Sequence, residues 1–75
     1  MSEANERTIV ENDVYNVLRA VSAKLEGLAA YNKYEADGGQ SGDLWKQIRT
    51  QDEQAVRTLL GQLEQMAQSG RLRAK

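Results

Sequence analysis

The chain has 75 residues, with ten Lys and Arg against eleven Asp and Glu, and contains no cysteine, histidine or proline. A chain this short makes one small domain that buries roughly 60% of its unfolded surface. Disulfides, thiolate metal sites and histidine general bases are excluded by composition, and the near-neutral balance lacks the basic field of a dedicated nucleic-acid binder.

Met1 to Asn5 shows neither a basic segment nor an apolar core of a secretory signal. No apolar run nears the roughly 20 residues that cross a bilayer, so the expected compartment is the cytoplasm. Residues 1–8 are expected to be a disordered segment, and residues 9–75 a helical hairpin. Within that hairpin the expected elements are a helix over about 9–37, a loop at 38–42, a helix over about 43–69 and a basic tail at 70–75.

In the first half, Val14, Leu18, Val21, Leu25 and Leu28 step by four, three, four and three, the spacing of a bundle seam. Ile9, Val10 and Val17 widen the stripe near its start. Thr8 followed by Glu11 reads as a capping box, in which hydroxyl and carboxylate each bind the other residue's amide. Glycine then clusters at Gly38-Gly39-Gln40-Ser41-Gly42. That segment lacks the Lys-Ser/Thr of a phosphate-binding loop and reads as a connector.

The second half opens with Ser41 or Asp43 as N-cap. It continues through Leu44, Trp45, Ile48, Ala55, Val56, Leu59, Leu60, Leu63 and Met66 at helical intervals, with Ser69-Gly70 as the stop. Two long helices joined by about five residues fold back antiparallel. With the turn centred on Gln40, Val21 lies near Leu59, Leu18 near Leu63, Val14 near Met66 and Leu28 near Asp52. The acidic start, with Glu11 and Asp13, comes beside the basic end, with Arg71, Arg73 and Lys75.

Each apolar stripe is wider than a single helix contact covers, so the expected architecture is all-α, an antiparallel two-helix hairpin that dimerises into a four-helix bundle. Val14, Leu18, Val21, Leu25, Leu28, Ile48, Val56, Leu59, Leu63 and Met66 form its core and dimer interface. Gly27 and Gly61, inside helical patterns, would let a neighbouring helix approach closely. Tyr31, Tyr34 and Trp45 flank the turn and are expected to close the loop end, with a tyrosine hydroxyl donating to Asp52.

The carboxylates Glu26, Glu35, Asp37, Asp52 and Glu53 lie where the apolar pattern weakens. An oxygen-only donor set of this kind suits hard cations. Ser22, Ser41 and Ser69 lack a histidine to activate them.

The segments Leu25-Glu26-Gly27-Leu28-Ala29-Ala30-Tyr31-Asn32-Lys33-Tyr34-Glu35-Ala36-Asp37, Leu44-Trp45 to Ile48, and Gln51-Asp52-Glu53-Gln54-Ala55-Val56-Arg57 resemble the hairpin of ferritin-like proteins. The likeness is to the half-length, encapsulated-ferritin type, and spans roughly residues 14–66. It implies a dimer completing a four-helix bundle, and a first-helix glutamate, matched by Glu26, that binds iron together with a second-helix Glu-x-x-His pair. That pair would fall on Gln54 and Arg57, or on Glu53 and Val56, and neither register supplies both ligands. The resemblance therefore implies the fold and the dimer without ferroxidase activity.

The expected function is that of a non-catalytic, self-associating helical-bundle protein, a scaffold or protein-interaction module that needs no cofactor. Its expected partners are a second copy or another helical protein, not nucleic acid or membrane. The alternative is a ferritin-like protein holding iron or manganese on carboxylates such as Glu26 and Glu53 across the dimer.

Overall fold

In a computed structural model that describes residues 9–74, the chain folds into two helices, α1 at Asn12–Ala36 and α2 at Gly42–Gln68, packed against each other. The expected disordered segment at residues 1–8 lies outside the described residues, as do Thr8 and Lys75. No strand occurs among the described residues. No described helix is long and apolar enough to cross a membrane.

Helix α1 starts three residues later than the apolar pattern suggests. Glu11 has extended backbone (φ −58°, ψ 151°) and makes no side-chain cap. Its carboxylate accepts a hydrogen bond from Arg71 Nε at 2.8 Å, and Thr8, the other half of the expected capping box, is not among the described residues. Ile9 therefore stays outside the helix and is exposed. Asp13 in the first turn and Lys33 in the last suit the helix dipole.

Both helices end where glycine permits a left-handed residue. Gly38 has φ 77°, and its amide donates to Glu35 O at 3.2 Å. At the end of α2, Gly70 has φ 79°. Its amide donates to Ala67 O at 3.0 Å while that of Arg71 donates to Met66 O at 2.9 Å. These two bonds form a Schellman motif that satisfies carbonyls the helix leaves open. Helix α2 begins at Gly42, with Ser41 in the N-cap position but without a side-chain cap bond.

The helix–helix seam differs from the expected one. Helix α1 turns Val14, Val17, Val21, Lys24, Leu28, Tyr31 and Glu35 inward, all buried or half-buried. From α2 come Trp45, Arg49, Asp52, Val56, Leu59, Leu63 and Met66. Both series step by threes and fours, the 3.5-residue period of coiled-coil packing.

Leu18 and Leu25 are excluded from the seam and remain 45% and 51% exposed. Leu44 and Leu60 are likewise exposed, while Ile48 is half-buried beside the seam. The reason is geometric. One neighbouring helix covers one stripe, and the valines and Leu28 on α1 occupy it together with Lys24.

Among the described residues, only Val14, Val56 and Met66 are buried apolar side chains, at 0%, 8% and 1% exposure. Val14 and Met66 mark the core at the end remote from the loop, as the fold-back register requires.

Candidate functional site

At the remote end, the C-terminal turn folds Arg71 onto the start of α1. Its Nε reaches Glu11 Oε1 at 2.8 Å and its Nη2 reaches Asp13 Oδ2 at 2.9 Å. The hydrogen bonds to Asp13 and then Glu11 raise the guanidinium pKa above its ordinary value. Among the described residues, the expected meeting of acidic start and basic end is formed by Arg71. It links residues 58 and 60 positions apart in the chain.

In the loop-proximal half the seam turns polar. Lys24 Nζ donates to Asp52 Oδ1 at 3.2 Å. Arg49 Nη1 donates to Glu35 Oε1 at 2.6 Å and to Asn32 Oδ1 at 3.2 Å. Asp52 is thus held by Lys24 rather than by a tyrosine hydroxyl, a correction to the sequence expectation. Lysine and aspartate occupy neighbouring seam positions on opposing helices, and their charges bring them together.

Beyond these pairs Tyr31, Tyr34 and Trp45 form the expected cluster. Tyr31 and Trp45 stack with centroids 5.8 Å apart and planes 20° apart. Tyr34 meets Trp45 at 5.0 Å and a tilt of 52°. These offset and tilted arrangements are the ones aromatic quadrupoles favour. The indole of Trp45, delivered by the first turn of α2, packs against both tyrosines of α1, the three rings forming a triangle that closes the loop end.

The carboxylates do not converge. Glu35 and Asp52 are each neutralised by a cation from the opposite helix. Glu26 and Asp37 are exposed, and Glu53 is half-buried. Among the described residues no three His, Cys, Asp or Glu side chains stand where they could share a metal ion. Lys24 and Arg49 are the residues that apolar periodicity overlooks. Their signal in the sequence is a charge at a seam interval, three residues after Val21 and four after Trp45, facing an opposite charge across the hairpin.

The outer surface is the remaining feature of note. Tyr15, Leu18 and Leu25 are exposed along α1. Leu60, Leu63 and Ala67 of α2, with Leu72 from the turn after it, line a shallow groove of about 580 Å³ rimmed by Arg57 and Glu64. Gly27 and Gly61 are not close-approach points within the hairpin. A Cβ at Gly27 would sit 3.9 Å from the Tyr31 ring, an ordinary contact, and one at Gly61 would meet nothing within 4 Å. Comparison with protein-family models, with curated proteins and with solved structures finds no match for the chain.

Proposed function

We propose that the chain is a non-catalytic helical-bundle module whose biochemical task is association, first with a second copy of itself. One observation supports this reading above the others. Among the described residues the hairpin buries three apolar side chains, while Leu18, Leu25, Leu44, Leu60 and Leu72 each keep between 39% and 51% of their surface in water. Burying a leucine fully is worth about 1.5–3 kcal/mol. Closing a second hairpin over such leucines is the available source of stability for a chain with neither disulfides nor histidine or cysteine metal ligands.

The chemistry of the interior supports a binding role over a catalytic one. The inward-facing ionisable groups Lys24, Asp52, Arg49 and Glu35 are engaged in pairs across the helices, which fixes register rather than leaving a carboxylate to act on a substrate. Sedimentation equilibrium across nanomolar to micromolar concentrations tests the reading. Twice the chain mass at the upper end, with helicity falling on dilution, is the expected result. A well-ordered single copy throughout overturns it.

A further inference from the structure

Helix α1 carries a second stripe, displaced by one residue from the one that packs on α2. Tyr15, Leu18, Ser22, Leu25, Ala29 and Asn32 follow at intervals of three, four, three, four and three, and all six are exposed. None bears a charge. One residue of displacement turns the stripe by about 100° around the helix. A square four-helix bundle asks for two contact lines on each helix about a quarter-turn apart.

We infer that this stripe is the seam for a second copy of the chain, with α1 packing antiparallel on α1 of the partner about a twofold axis between Ala23 and Lys24. This inference rests on the self-association proposed above and specifies its geometry.

Two features favour a second copy in this orientation. The spacing reads the same in both directions, so reversal places position on position. Leu18 then meets the partner's Ala29, Leu25 meets the partner's Ser22, and Tyr15 meets the partner's Asn32. Large side chains fall opposite smaller ones throughout, the condition for interdigitation without voids. A parallel copy would set leucine against leucine and leave gaps at Ser22 and Ala29.

Charge gives the second argument. Arg19 and Glu26 are exposed on the edge of the stripe and form no ion pair with other described residues. Reversal about the same axis brings Arg19 within about 3 Å, measured along the helix, of the partner's Glu26. The twofold axis repeats the pair, whereas a parallel copy would align arginine with arginine and glutamate with glutamate.

The test uses the full chain and follows mass by sedimentation, with helicity recorded on the same samples. Ala29→Glu and Leu18→Lys singly are expected to raise the dimer dissociation constant at least about tenfold. Combining them is expected to recover most of that loss, because reversal sets the introduced lysine against the introduced carboxylate. Gln47→Glu, on the far side of α2, should leave the mass unchanged. Independently of variant folding, Ser22→Cys in an otherwise unaltered chain should be captured as a dimer by a short bis-maleimide, and Gln47→Cys should not. A dimer that survives both single substitutions, or a double variant weaker than either, overturns this seam while self-association stands. A wild-type chain that is a single copy throughout overturns the self-association reading, and this seam with it.

Discussion

Met66→Ala is the sharpest probe of the hairpin itself. Met66 is the largest fully buried side chain among the described residues, 1% exposed, at the end of the hairpin where Val14 is wholly buried. Truncating a buried methionine costs about 2–5 kcal/mol through lost transfer energy and the cavity left behind. At roughly 0.05–0.15 kcal/mol per residue, a chain of 75 residues has about 4–11 kcal/mol of total stability. One truncation therefore removes a large share of the whole. Urea unfolding followed by far-ultraviolet circular dichroism at fixed low-micromolar concentration should show the midpoint fall sharply or the folded baseline vanish. Leu25→Ala deletes comparable apolar surface at a half-exposed site, and should cost less than about 1 kcal/mol when the hairpin is dilute. Equal losses at the two positions would refute the assignment of inner and outer stripes.

Gly61→Ala should stabilise the chain by about 0.5–1 kcal/mol, since nothing lies within 4 Å of the added methyl group; a lower urea midpoint would mean that another helix approaches there. Arg71→Ala should lower the midpoint by an amount that shrinks as salt is raised, because its pairs with Glu11 and Asp13 are solvent-screened. Arg71 is a cation whose folded pKa is raised. Its stabilisation is therefore present at all pH below the ordinary arginine value and lost only above it, so titrating Arg71 should not change the wild-type-to-variant difference between pH 7 and pH 9. Tyr31→Ala should weaken near-ultraviolet dichroism from the single tryptophan, whose ring it stacks upon at 5.8 Å and which keeps its contact with Tyr34, while the far-ultraviolet helical signal largely persists.

The local structure follows from residue types and short-range spacing. Helix-forming residues on either side of Gly38 to Gly42, with no proline, dictate two helices and one turn. Gly38 and Gly70 supply the left-handed residues at the two helix ends because they lack a Cβ. The juxtaposition of Glu11 and Asp13 with a C-terminal arginine, and the gathering of Tyr31, Tyr34 and Trp45, follow once the chain folds back.

Apolar periodicity could not decide which of two adjacent stripes faces the partner helix. Val14, Leu18, Val21, Leu25 and Leu28 and the observed Val14, Val17, Val21, Lys24 and Leu28 both keep a three–four step, and they differ only by rotation about the helix axis. Packing settled it through contacts between residues far apart in the chain. Val14 packs at the end where Met66 is enclosed, Lys24 pairs with Asp52 and Arg49 with Glu35, and in this rotation Leu18 and Leu25 stay outward. Helix α1 starts at Asn12, and the Glu11 carboxylate just before it is met by Arg71 from across the hairpin, a contact that no local spacing announces. Sequence by itself determined which backbone hydrogen bonds form, because those depend on neighbours within a turn. Only the tertiary structure decided which way each helix faces, because that depends on charges and side-chain volumes supplied by the other half of the chain.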